Sequence, residues 1–199
     1  MVDAGSPEEE SRTSRLVRAA RAGDRSRFAD LYSRIAPSVF AWAALRVPKS
    51  LRSRLDPEDI VQETWVRAFE RFDAFDQALG SFRAWTFGIA GHVLLKALRA
   101  LRDAPASARA IDPLDVPDEA TSISRRVGRD EMVRGVIGLL ERLEADERRI
   151  VIERGLEERP FAEIAALHGI EEAAARKRWQ RARERLAGLV PDGFLADGG

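Results

Sequence analysis

The sequence contains no cysteine, which excludes disulfides, thiolate catalysis and Cys-ligated zinc or iron–sulfur centres. Histidine is nearly as scarce. His92 and His168 are the only two, too few for a His-rich metal site. No run approaches the ~20 consecutive apolar residues of a membrane-spanning helix, and the acidic start lacks the basic and apolar regions of a signal peptide. Net charge is also missing, because 33 Lys+Arg face 33 Asp+Glu. Taken as a sum, that balance argues against a nucleic-acid partner. Together the absences describe an expected soluble, cytoplasmic protein with no metal and no cofactor. What is present is apolar material: 45% of the 199 residues are hydrophobic, enough for one or two small cores and too much for wholesale disorder.

The apolar residues are spaced helically almost throughout. The first dozen residues read as a loose polar tail. Residues 14–42 carry Leu16, Ala19 and Ala20, then Phe28, Leu31, Tyr32 and Ile35, with a break at Gly23-Asp24 and a kink or restart at Pro37. Asp56 is a good N-cap, and Pro57 suits the first helical position after it. Ile60, Val61, Trp65, Ala68, Phe69 and Phe72 then trace one face. Residues 76–81 interrupt the pattern, and residues 82–101 resume it. Between residues 103 and 124 there are three prolines and five acidic residues with little periodicity, which reads as a linker. Helical spacing returns in residues 130–143, 145–154, 160–167 and 171–189. No alternating strand pattern occurs. The expected fold is all-α: two small helical domains joined by a flexible acidic linker, the second containing a helix-turn-helix.

Three segments carry chemistry. The sharpest is Phe161-Ala162-Glu163-Ile164-Ala165-Ala166-Leu167-His168-Gly169-Ile170, followed by a basic helix. Ala165 supplies the small residue a helix-turn-helix needs where its helices touch, and Gly169 tolerates φ > 0 in the turn. Ile164, Leu167 and Ile170 would pin the interhelical angle. The next helix carries Arg176, Lys177, Arg178, Arg181, Arg183 and Arg185, a positive strip able to enter a major groove. The plainer alternative is a solvated, salt-bridged surface helix. His168 is read as a partly buried packing residue.

The second segment is the acidic complement. Residues 56–76 hold seven carboxylates against Arg67 and Arg71. Phosphate would repel such a helix, but a basic protein surface could receive it; an ordinary exposed acidic face is the competing reading. No histidine or partner constellation accompanies these carboxylates, so no catalytic centre is expected and the protein is not an enzyme on this reading. In the third segment, Phe82, Trp85 and Phe87 lie beside Arg83, Lys96, Arg99 and Arg102, after a short loop with Gly80 and Ser81. Basic side chains interleaved with aromatics suit single-stranded nucleic acid, although core packing is the better account of Trp85 and Phe87.

In this order the three segments resemble bacterial RNA polymerase sigma factors of the sigma-70 family, in the extracytoplasmic-function branch. Residues 56–69, DPEDIVQETWVRAF, resemble the acidic part of region 2. Residues 81–90, SFRAWTFGIA, resemble the promoter-melting segment. Residues 161–186 are similar to region 4. The resemblance implies a region 2-like domain over residues 14–102, a linker over 103–124 and a region 4-like domain over 125–190. It implies that Asp56, Glu58, Asp59, Gln62 and Glu63 dock on core RNA polymerase. The −10 element would be met by Gln77, Ser81, Phe82, Arg83, His92, Lys96 and Arg99. The −35 element would be read by Arg176, Lys177, Arg178, Gln180 and Arg181. Core polymerase, promoter DNA and an anti-sigma factor are the implied partners. The chain departs from the family pattern at Gly91-His92, at Lys96, at Glu171-Glu172 with the following three alanines, and at Arg159-Pro160.

The implied function is promoter recognition and transcription initiation. A helix-turn-helix regulator acting without polymerase would leave the acidic helix and linker idle, and a helical adaptor would not need the basic strip. The charge balance then acquires another meaning: negative charge concentrates in residues 56–76 and the linker, positive charge in 96–102 and 176–185. Zero is the sum of two opposed faces.

Overall fold

The computed structural model describes residues 7–24, 26–103, 118–191 and 193–196. The described residues are helical, with no strand among them. In chain order the helices are α1 (Pro7–Arg21), α2 (Ser26–Arg46), α3 (Pro57–Glu70), α4 (Phe82–Asp103), α5 (Asp118–Arg129), α6 (Glu131–Glu141), α7 (Ala145–Ile150), α8 (Phe161–His168) and α9 (Glu172–Leu186). Short 3₁₀ turns occur at Lys49–Leu51 and Phe72–Ala74, and a π-helical segment, Val151–Leu156, continues α7.

Local chemistry sets the helix starts. The Asp56 carboxylate accepts the Glu58 backbone N–H at 2.8 Å, and Asp59 reaches back to the Asp56 N–H at 3.4 Å. This reciprocal box, with Pro57 in the first turn, begins α3 as the sequence predicts. Asp130 does the same for α6, accepting from Met132 and Val133. Pro37, by contrast, lies inside α2 without ending it. Proline cannot donate to the carbonyl one turn earlier, at Ser33, but Ser33 is exposed and water can satisfy that carbonyl. The predicted tail also contracts, since α1 already begins at Pro7.

The first unit, α1 to α4, closes around aromatics. Trp65 of α3 stacks on Tyr32 and lies 4.2 Å from both Tyr32 and Phe28 of α2, measured between ring centroids. Phe72, Phe75, Phe82 and Trp85 continue the cluster through edge and tilted contacts. In the second unit, Ala175, Trp179, Ala182 and Leu186 of α9 are buried. The Trp179 indole passes so close to Gly155 that a Cβ there would sit 2.8 Å from it. Gly169, at φ 61°, makes the turn between α8 and α9.

The two units are packed together. α5, α6 and the π-helical segment lie against α2, and α5 also lies against α3. Buried residues of both halves form one continuous apolar cluster. The expected linker is shorter than residues 103–124, because α4 runs to Asp103 and α5 begins at Asp118. The proline-rich part of that linker falls outside the described residues.

Candidate functional site

Three surfaces correspond to the three segments. On α3, Asp56 is exposed, while Glu58, Asp59, Gln62 and Glu63 are half-buried. Glu63 accepts from Arg67 at 2.6 Å, and Glu58 accepts from Gln62 at 3.1 Å. α5 covers one end of this face, bringing Arg125 within 4.0 Å of Glu58. Burial pushes the Glu58 carboxyl above its ordinary pKa and the nearby Asp56 charge adds to the rise; Arg125 opposes it.

The loop before α4 is built by Asp76, whose carboxylate accepts the Ala78 N–H at 2.9 Å. Leu79 at its tip is 87% exposed. Gln77 is exposed and donates to the Ser14 hydroxyl at 2.8 Å. Ser81 caps α4 by accepting from Ala84 N–H and donates to Glu158. Phe82 corrects an expectation. It is 3% exposed, enclosed by Phe72, Phe75 and Trp85, and has no face on which a base could stack. Its place in the apolar period of α4 outweighs its position beside the loop. Arg83 is also turned inward, onto backbone carbonyls of the second unit and over the Phe87 ring. Further along, His92, Lys96 and Arg99 are exposed at helical spacing on one face. His92 donates to the Gly88 carbonyl at 2.8 Å. Lys96 and Arg99 have no protein partner among the described residues.

On α9, Arg176 is tied down: its guanidinium donates to Glu172 at 2.6 and 3.1 Å and lies 4.6 Å over the Phe161 ring. Arg178 lies 3.7 Å from Asp146 of α7, and Gln180 donates to Glu184 at 3.4 Å. Lys177 and Arg181, four residues apart, are exposed and have no protein partner among the described residues. Ile164 and Ala165 are buried at the helix-turn-helix contact as predicted, but Leu167 is 59% exposed and does not pin the helices. His168 takes that part. It is half-buried, and its Nε2 donates to the 4%-exposed Glu153 carboxylate at 2.7 Å, joining the end of α8 to the π-helical segment.

Glu153, the Glu157-Glu158 pair and Phe194 are absent from the sequence-based expectations. Adjacent acidic residues before Arg159-Pro160 were a visible signal, but their partners lie in the first unit. Among the described residues, no group of His, Asp and Glu side chains could hold a metal ion, and no helix is long and apolar enough to cross a membrane.

Residues 31–103 match Sigma-70 region 2, and residues 135–186 match Sigma-70 region 4. The RNA polymerase sigma factor NccH of Alcaligenes xylosoxydans is 28% identical, covering 88% of this chain and 92% of its own. The ECF RNA polymerase sigma factor SigD of Mycobacterium tuberculosis is 30% identical, over 88% of this chain and 82% of that protein.

The chain belongs to the extracytoplasmic-function sigma factors.

A solved relative, the sigma factor RpoE in complex with the anti-sigma factor NepR from Bartonella quintana, is 24% identical, with a TM-score of 0.38, over 78% of this chain and 91% of that one. As a sigma factor the protein directs transcription initiation by RNA polymerase. Regions 2 and 4 together imply binding to core polymerase and to promoter DNA.

Proposed function

We propose that this sigma factor divides its work by residue. Residues 14–102 act as a region 2-like unit and 125–190 as a region 4-like unit. The acidic face of α3, with Asp56, Glu58, Asp59, Gln62 and Glu63, docks on core polymerase. The α4 face of His92, Lys96 and Arg99, with Gln77, Ser81 and Arg83 at its loop, meets the −10 element. The −35 element is read from α9, with Lys177 and Arg181 as the principal contacts and Arg176, Arg178 and Gln180 beside them. The observation that carries this reading is the pair of exposed cationic faces on two helices, each with cations that have no carboxylate partner among the described residues. Cations in that state neutralise phosphate and can reach base edges, where each good contact discriminates by about 1–3 kcal/mol. The chain itself catalyses no covalent step and acts in the cytoplasm. An anti-sigma factor is a further partner, in keeping with the complex of the solved relative.

Run-off transcription with core enzyme on promoters selected by the reconstituted holoenzyme tests this. A promoter-dependent transcript is expected. Absence of both transcript and core binding overturns the reading, and tight operator binding by the free chain would favour a regulator that works without polymerase.

A further inference from the structure

The residues at the start of α4 are held by the far end of the chain. Arg83 Nε donates to the Leu156 carbonyl at 3.2 Å, Nη1 to Gly193 at 3.2 Å and Nη2 to Phe194 at 2.6 Å. The Ser38 hydroxyl of α2 donates to the same Phe194 carbonyl at 2.9 Å. Phe194 follows the last helix, yet its ring is buried. The Ala196 N–H donates to Gly155 at 2.6 Å, so the terminal segment is fastened to the second unit while it holds the first. The turn before α8 adds two carboxylates. Glu157 accepts from Trp42 at 2.7 Å and from Arg46, and Glu158 accepts from Ser81 and lies 3.8 Å from Arg83.

Glu158 has φ 56°, and among the described residues it alone adopts positive φ without being glycine. L-residues avoid that conformation, so an observed case is a reason to ask what the side chain does there. Here it reaches the two loop-proximal residues that the proposed function assigns to DNA. Beside the shared apolar cluster, the units are joined at this point by hydrogen bonds and ion pairs. Water can replace such contacts when the surfaces part, which is the character of interfaces that open.

We propose that the terminal segment around Phe194 and the Glu157-Glu158 turn form an intramolecular clasp that withholds Ser81 and Arg83 from DNA until the two units separate. This rests on the −10 assignment made above. In the clasped state the Arg83 donors are already engaged by carbonyls, so the chain is a promoter-binding protein with its own C-terminal residues in the DNA's place. A ligand that binds only the open form has its apparent affinity reduced by the fraction of chain that is open. Core polymerase and promoter DNA therefore compete with the clasp.

Glu158→Gly is the discriminating variant, because glycine keeps the backbone turn without strain while removing the side chain and its carboxylate. A second variant ends the chain after Pro191. Because the chain lacks cysteine, Asp73→Cys and Glu163→Cys provide two unique sites for a fluorescence donor and acceptor. For the free full-length chain, high energy transfer is expected. Glu158→Gly and the truncation should each lower it, with unchanged circular dichroism, and should tighten apparent binding to core polymerase about tenfold. Addition of core polymerase to the unaltered chain should lower the transfer as well. Equal transfer and equal core affinity in all three proteins would overturn the clasp. So would high transfer that persists in the holoenzyme. Failure of the transcription test alone would instead overturn the sigma-factor assignments, because the energy transfer is read in the free chain.

Discussion

The two basic helices, α4 and α9, spend their cations differently. On α4 the arginine nearest the loop, Arg83, is consumed by carbonyls of the other unit, while Lys96 and Arg99 toward the far end stand clear of any partner among the described residues. On α9 the engaged cations flank the clear ones: Arg176 is held by Glu172 and Phe161, Arg178 by Asp146 and Arg185 by Glu147. Lys177 and Arg181 remain between them. Both helices have more positive residues than positive charge available to a ligand. A count of arginines measures potential, and neighbouring carboxylates and carbonyls decide how much is left for DNA.

The largest expected effect lies on the clear pair of α9. Lys177→Glu with Arg181→Glu should weaken −35 duplex binding by about 2–6 kcal/mol, taking about 1–3 kcal/mol for each contact. Replacing both with alanine should lower the salt slope by roughly 2, because about one counterion is released per phosphate contact. Fluorescence anisotropy over a salt series reads both quantities. Arg178→Ala should do much less, and an equal loss would break the distinction between engaged and clear cations.

The next effect concerns what holds each helix in place. α4 is anchored by aromatic packing, whereas the turn into α9 depends on His168 and the buried Glu153. His168→Leu leaves that carboxylate without its donor and should cost about 1–3 kcal/mol in thermal or urea unfolding. Adding Glu153→Leu should recover most of the loss, since apolar replacement of both partners removes the unmet group. His168→Gln, which keeps an N–H donor, should fall between. Loss of a cap comes third: Asp56→Ala should destabilise α3 by about 1 kcal/mol, measured in the same way.

The smallest effect is a pH dependence at Glu58. Its raised pKa means that the folded state binds this proton more tightly than the unfolded state does. Stability should therefore fall as pH rises from the usual glutamate value through the folded value, and the penalty should be complete above it. Glu58→Gln is expected to melt slightly higher than the unaltered chain at neutral pH and at the same temperature below the usual glutamate pKa. Melting curves across that range check the sign.

What the sequence revealed and what it hid follow from the reach of each interaction. Asp56-Pro57 and Gly169 could be read because a cap or a turn is made within a few residues. The interior faces of α3 and α4 could be read because helical periodicity repeats. Phe82 was misassigned for the same reason in reverse, since proximity to a loop counted for more than its place in the period. Leu167 looked like a core position, but α8 is short and turns that side to solvent. The bond from Ser81 to Glu158 joins residues 77 apart, and Arg83 reaches more than a hundred residues ahead to Phe194. No local pattern encodes such a pairing.

The inner face of α9 also bears on how this protein can change over generations. Ala175, Trp179, Ala182 and Leu186 meet the rest of the unit, and Trp179 closes against a glycine that tolerates no added carbon. Those positions are constrained by shape. Ala173, Lys177, Gln180, Arg181 and Glu184 are exposed along the same helix and carry no share of that fit. If α9 reads the −35 element as proposed, substitutions among them move the preferred promoter sequence while the helix keeps its seat, and descendants of this chain acquire new sets of target genes without a new fold.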